Sequence, residues 1–280
     1  MKRSIFATVG TTSFDDFVRS LCSLQFLTAM ANHHYHHTSN ATSCCLPPSN
    51  SEIGPALHNN MDIENNEPSL DITIQYGKGL HPVSYIPQSL LLDKSTPQSN
   101  VDADEGILLL SIPIRTKSCT EQTSIKTQLR CFRFQPSLIE HMEHADIIIC
   151  HAGAGTLLEA LSISTQCEQN SPSRKRKIIN AVINSKLMDN HQSELADELE
   201  LQGRISVTRN CASEWTTDDG ASAFWEKIRM PYVGGRTTSD PGDARRVNDN
   251  YSHARSFQQI LDEVMSVDDK HYSRVAKKQW

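Results

Sequence analysis

Residues 145–161, ADIIICHAGAGTLLEAL, decide how this chain folds. Residues 146–150 form an apolar run of strand length, Gly153 and Gly155 fill the turn behind it, and residues 156–162 carry a helical pattern. A strand that turns through glycines into a helix is the repeating unit of parallel sheets. Such a turn suits a phosphate, because the first backbone N–H groups of the helix and its dipole both face the ligand. It also occurs as an ordinary tight connection. Thr156 and Glu159 have capping-box spacing, so Glu159 has two candidate roles, holding the helix start or facing a ligand.

Outward from this stretch the same alternation continues. Towards the N-terminus, SIFATVG (residues 4–10) reads as a buried strand, followed by the turn GTTS and a helix over residues 14–31 with Phe14, Phe17, Val18, Leu21, Leu24 and Leu27 on one face. Ser13 and Asp16 form a capping box for it. DITIQYGKG (71–79) is a strand ending at glycines, and ILLLSIPI (107–114) and QLRCFRF (128–134) are further strands. Pro136 then opens a helix through residue 145. Beyond the central unit come a strand at 177–184, a helix at 189–203 ended by Gly203, and a strand at 204–208. Strands separated by helices imply an α/β fold with a mostly parallel, Rossmann-like sheet. The following stretch is less regular until residues 254–267, where Phe257, Ile260, Leu261 and Val264 form an amphipathic face.

Composition bounds the rest. The chain has 280 residues, 38% hydrophobic, a low share that places part of it outside any core. The expected organisation is one domain over residues 1–267, with low-complexity inserts at about 32–69, 93–105 and 164–177 and a polar tail at 268–280. A net charge of −6 gives no general attraction to nucleic acid or anionic lipid. The eight cysteines include no Cys-x-x-Cys pair and are expected to be reduced thiols of a cytosolic protein. The first apolar run is too short for a signal peptide, and no run has the length needed to span a bilayer.

Several motifs are weighed and set aside. A dinucleotide fingerprint needs a third small residue where Leu158 stands and an acid closing the next strand, whereas Glu168 falls in a polar stretch; no Walker A sequence is present. The histidines of NHHYHH (32–37) sit in a low-complexity segment without the fixed spacing of a metal site, and DAD (102–104) lies in a polar linker. The sequons at Asn40 and Asn250 are expected to be silent in the cytosol. LMDNHQSELA (187–196) is different. It follows a strand on the rim where ligands of open α/β sheets bind, so His191 and Gln192 could read a sugar, although Asp189 or Asn190 could equally be a simple helix cap.

HAGAGTLLEAL and LMDNHQSELA, with ATVGTTSFDDFV before them and IQYGKG between, resemble the catalytic subunit family of the eukaryotic UDP-GlcNAc transferases that form chitobiosyl-diphosphodolichol. That family is similar to the C-terminal half of the bacterial GlcNAc transferase of peptidoglycan synthesis, the glycosyltransferase family 28 C-terminal domain. The resemblance implies a fold equivalent to the donor-binding half of a GT-B glycosyltransferase. By that analogy Gly153, Ala154, Gly155 and Thr156 lie at the diphosphate, Glu159 at the ribose, and Asn190, His191 and Gln192 at the GlcNAc hydroxyls, with Gly10, Thr11 and Thr12 lining the same cleft and His151 also among the donor-binding residues. Asp15 and Asp16 already neutralise their own helix start, which directs the phosphates to the later helix.

The implied reaction is inverting transfer of GlcNAc from UDP-GlcNAc to GlcNAc-diphosphodolichol, with no cofactor and no metal. The implied partner is a membrane-anchored subunit that recruits the chain to the cytosolic face of the endoplasmic reticulum, completes the cleft and supplies the general base, so no catalytic residue is assigned here. Phe257, Ile260, Leu261 and Val264 are the candidate docking residues for that subunit. A non-catalytic nucleotide-sugar-binding subunit and a self-sufficient transferase acting on a soluble acceptor are the alternatives. One departure from the family is STQCEQNSPSRKRK (164–177), where a short turn is usual.

Overall fold

The computed structural model describes residues 3–42, 70–92, 105–114, 123–170, 176–184, 186 and 191–229. In chain order these form β1 (Arg3–Thr8), α1 (Asp15–Leu21), α2 (Leu24–Thr42), β2 (Leu70–Gln75), β3 (Glu105–Ile114), β4 (Thr123–Phe132), α3 (Ile139–His144), β5 (Ile147–His151), α4 (Ala154–Asn170), β6 (Ile178–Val182), α5 (His191–Leu201), β7 (Ser206–Thr208), α6 (Cys211–Glu214) and α7 (Asp218–Arg229).

The strands make one sheet in the order β3-β4-β2-β1-β5-β6-β7. Every neighbouring pair is parallel except β3 with β4, so the expected mostly parallel α/β architecture is the one observed. The exception arises where a strand follows another with no helix described between them, the connection that antiparallel pairing allows. Period-two alternation sends successive side chains to opposite faces. Ile5 and Ala7 of β1 join a core with Phe17, Phe26 and Trp215 of the α1, α2 and α6 layer, whereas Phe6 joins a second core with Met142, Leu157 and Leu199 of α3, α4 and α5.

Three local expectations are corrected. The single helix expected over residues 14–31 is two helices, because Ser23 caps the second: its Oγ accepts the Phe26 N–H at 3.2 Å and stands 3.1 Å from the Trp215 carbonyl oxygen. The Ser13–Asp16 capping box does not form. Phe14, not Ser13, precedes α1 and caps nothing with its side chain, and Asp16 instead pairs with Lys186 at 2.6 Å. The helical segment also runs further than expected. α2 continues through residues 32–37 to Thr42, with His33 and His34 buried and the Arg3 guanidinium donating to His33 Nδ1 at 3.2 Å. Likewise α4 continues past Ser164, itself buried, to Asn170.

The stretch read as irregular holds α6 and α7. Ala221, Phe224, Trp225 and Ile228 are buried at helical spacing, and α7 lies along α2. Phe26 is the hub, with ring centroids 4.7 Å from Trp215, 5.4 Å from Phe224 and 5.3 Å from Trp225. Among the described residues no helix is long and apolar enough to cross a membrane. The candidate docking segment at 254–267 and the acidic DAD at 102–104 lie outside them.

Candidate functional site

The chain places β2 and β4 on one side of β1 and then crosses to the other side with β5. That reversal is a topological switch point, and in open α/β sheets the crevice at the carboxyl ends of such strands is where ligands bind. A cavity of about 260 Å³ opens there, lined by Gly10, Thr11, Gln75, Phe134, Gln135, Leu138, His151, Gly153, Ala154, Gly155 and Thr156. Among the described residues, the lining contains no carboxylate, lysine or arginine.

Its deep wall is the β5–α4 turn. The first helical bond runs from the Leu157 N–H to the Gly153 carbonyl at 3.0 Å. The N–H groups of Ala154, Gly155 and Thr156 therefore have no partner within their own helix. The first turn of α4 carries no acidic residue, whereas that of α1 carries Asp15 and Asp16. Among the described residues, the start of α1 is compensated by its own carboxylates and the first turn of α4 offers none. The expected Thr156–Glu159 capping box is not formed, for a geometric reason: α4 begins at Ala154, so Thr156 lies inside the helix rather than ahead of it. Glu159 sits half-buried one turn further along, outside the cavity lining.

His151 closes β5 and is wedged between two glycines. A Cβ on Gly10 would stand 2.5 Å from the ring Cε1, and one on Gly153 would overlap Nε2. Gly10 also has φ +65°, a left-handed conformation that favours glycine. The ring is only 8% exposed, and Nδ1 has no hydrogen-bond partner of ordinary geometry. Burial holds the imidazole below the usual histidine range, against a weaker pull upward from the Thr8 backbone. A neutral imidazole carries one donor and one acceptor nitrogen, and Nδ1 is buried away from the cavity.

The remaining walls come from the loops after β1, β2 and β4. Arg133 donates to the carbonyl oxygens of Gly77 at 3.1 Å and Gly79 at 3.5 Å and lies over the Tyr76 ring, with 4.9 Å to its centroid. Gly77, at φ +59°, has no room for a side chain against the Thr12 carbonyl. Asp15 accepts the Leu80 N–H at 2.9 Å, and Thr12 Oγ1 donates to the Val9 carbonyl at 2.9 Å. Phe134, 45% exposed, forms the outer lip.

Of the residues expected at the site, Gly10, Thr11, His151, Gly153, Ala154, Gly155 and Thr156 come together around the cavity, while Thr12 and Glu159 stand beside it. His191 and Gln192 open α5, the helix following β6, but their side chains, like Asn190, lie outside the described residues. Gln75, Phe134, Gln135 and Leu138 were missed. Gln75 was within reach of sequence reasoning, as a polar residue closing an apolar strand ahead of a glycine turn.

The Rossmann-like sheet with an open helix start at its switch point places the chain in the open α/β class, and residues 112–209 match the glycosyltransferase family 28 C-terminal domain. Within this class the chain is similar to the UDP-N-acetylglucosamine transferase subunit ALG13 of several organisms. It is 39% identical to the Mus musculus protein over 93 residues, 33% of this chain and 6% of that relative. It is 42% identical to the Homo sapiens protein over 77 residues, 28% of this chain and 6% of that one. With the Yarrowia lipolytica protein the identity is 41% over 68 residues, 24% and 29% of the two lengths. These segments thus take in under a third of each relative's own length. The resemblance read from the motifs holds: the chain is similar to ALG13.

Proposed function

We propose that this chain is the donor-binding subunit of a UDP-GlcNAc transferase whose acceptor is GlcNAc-diphosphodolichol. The observation that carries the reading is the open, acid-free start of α4 beside the neutral His151 at the switch point. The names of the similar proteins and the family of residues 112–209 support the sugar nucleotide as the ligand. In this reading the diphosphate of UDP-GlcNAc lies against the N–H groups of Ala154, Gly155 and Thr156. Phe134 offers its exposed face to the base. Glu159, released from the capping role, takes the ribose hydroxyls, and residues 190–192 reach the sugar.

The reaction joins the acceptor hydroxyl oxygen to the anomeric carbon as the bond from that carbon to the UDP oxygen breaks. The proton of the hydroxyl passes to a base on the partner subunit, and the electron pair of the broken bond leaves with UDP. Negative charge grows on the departing diphosphate, where fixed N–H groups stabilise it more than they stabilise the bound substrate. A membrane-anchored partner at the endoplasmic reticulum holds the lipid acceptor and completes the cleft.

The test is transfer of labelled GlcNAc from UDP-GlcNAc to a GlcNAc-diphospho-lipid by this chain co-expressed with the membrane subunit, using wild type and Glu159→Ala. Transfer by the wild-type pair, reduced in the variant, is the expected result. No transfer by the wild-type pair would overturn the enzyme reading, and UDP-GlcNAc binding without turnover would identify a regulatory subunit instead. Full activity in Glu159→Ala would remove the ribose role while leaving the transferase standing.

A further inference from the structure

Gln75 closes β2 at the floor of the cleft and is 2% exposed. Its Nε2 donates to the Gly10 carbonyl and to the Arg133 carbonyl, each at 2.7 Å. Its Oε1 accepts the Thr8 hydroxyl at 2.6 Å, and Thr8 Oγ1 in turn accepts the Gly10 N–H at 3.0 Å. Both backbone polar groups of Gly10 are therefore held by this one pair of side chains.

The loops so joined follow β1 and β4, which are not neighbours, because β2 runs between them. A side chain at the end of β2 is placed to bridge the two. The bridge also needs a primary amide, whose single nitrogen gives two donors while its oxygen accepts. Glutamate would turn an acceptor towards two carbonyls, leucine would remove the donor that joins them, and asparagine is one methylene short. The two tethered residues are the ones that build the opposing walls. Gly10 is the surface on which the His151 ring rests, and Arg133 precedes Phe134 while its guanidinium holds the loop at Gly77.

We propose that Gln75 is the positioning residue of the cleft: it fixes the separation of the Gly10–His151 wall from the Arg133–Phe134 wall and thereby sets the affinity for a nucleoside diphosphate. The ligand rests on the function proposed above; the geometry does not. Gln75 touches no reacting atom and acts through Gly10 and Arg133. Misplacing binding groups by about 1 Å costs an order of magnitude or more, so loss of the bridge weakens UDP binding about tenfold or more.

The experiment compares Gln75→Leu and Thr8→Val with a control, Asn180→Leu. Asn180 is an equally buried amide away from the cleft, donating to Ser206 Oγ at 2.9 Å and accepting from Thr208 Oγ1 at 3.2 Å. Calorimetric titration with UDP, thermal unfolding and the imidazole 15N resonances of His151 are read on each purified chain. All three variants lower the melting temperature, but only Gln75→Leu and Thr8→Val weaken UDP and shift the His151 resonances; Thr8→Ser, which keeps the hydroxyl, restores both. UDP affinity within twofold of wild type in Gln75→Leu, or an equal loss in Asn180→Leu, overturns the proposal. If the wild-type chain does not bind UDP, the nucleotide reading fails and the His151 resonances alone decide the positioning role. If Gln75→Leu does not fold, Thr8→Val against Thr8→Ser decides it.

Discussion

Two glycines two residues apart in the β5–α4 turn are expected to respond in opposite ways to the same substitution. In Gly153→Ala the new methyl group overlaps His151 Nε2 and comes within 2.9 Å of Cδ2 and 3.0 Å of Cε1. Ordinary van der Waals contact needs roughly 3.5 Å, so the ring must move by several tenths of an ångström or more. It cannot simply retreat, because Gly10 backs it from the other side, where even a Cβ would stand at 2.5 Å. Overpacking of this kind costs about 1–3 kcal/mol. For a domain of this size that lowers the melting temperature by about 2–12 °C. Gly155 lies in the same turn, yet a Cβ there meets nothing within 4 Å. Alanine is the better helix former by about 0.8–1 kcal/mol, so Gly155→Ala raises the melting temperature by a few degrees. Thermal unfolding of the two variants beside wild type is the assay. Combining Gly153→Ala with His151→Ala gives the methyl group its space, so the double variant is less destabilised than the two single costs added. A Gly153→Ala protein as stable as wild type, or equal losses in both glycine variants, would refute the wedge.

Two further outcomes follow from side chains away from the cleft. Lys177 Nζ donates to the carbonyl oxygens of Glu143 and Ala145, each at 2.7 Å, and so satisfies the end of α3; Lys177→Met leaves both unpaired and costs about 1–3 kcal/mol, read by urea denaturation. For Glu200 of α5, burial alone would push the carboxyl up, but hydrogen bonds from Lys227, the Val207 N–H and Arg209 outweigh it and hold the group below the usual carboxylate range. A carboxyl depressed on folding adds stability that is complete above its unfolded value of about 4.3 and is lost as pH falls through the folded one. The melting-temperature gap between wild type and Glu200→Gln is therefore constant from neutral pH to about 5 and closes in more acid solution; a gap that widens towards acid contradicts the sign.

The parts of the fold that were legible in the sequence are those in which one short segment fixes its own environment. An apolar run followed by glycines and a helical pattern reads as a buried parallel strand and its crossover, so β5 and α4 were readable, and with them five of the eleven residues that line the cavity. What escaped depends on distant partners. The break at Ser23 draws on Trp215, nearly two hundred positions away, and nothing local in residues 14–31 announces it. The spacing of Ala221, Phe224, Trp225 and Ile228 was a usable helical signal hidden among polar residues. His33 and His34 look like low-complexity sequence until α2 lies against α7 and buries them. Gln75 could be seen as polar and close to glycines, but its bridging role exists only because β2 runs between β1 and β4.

The two helix starts differ in whether the chain itself answers their positive ends. α1 and α4 both begin on the carboxyl-end rim, and both have a dipole that would attract an anion. At α1 that attraction is met within the chain: Asp15 and Asp16 fill the first turn, one holding the Leu80 N–H and the other the Lys186 ammonium. At α4 the first turn is alanine, glycine and threonine, and the neighbouring wall is a histidine kept uncharged by burial. In the proposed function, the acid-free start of α4 is left able to attract a diphosphate, and the uncharged wall adds no charge of its own to that attraction. Under the proposed function, Gly155→Arg adds a positive charge that favours the more negative UDP over UDP-GlcNAc, so calorimetric titration should show UDP binding tightened more than UDP-GlcNAc binding.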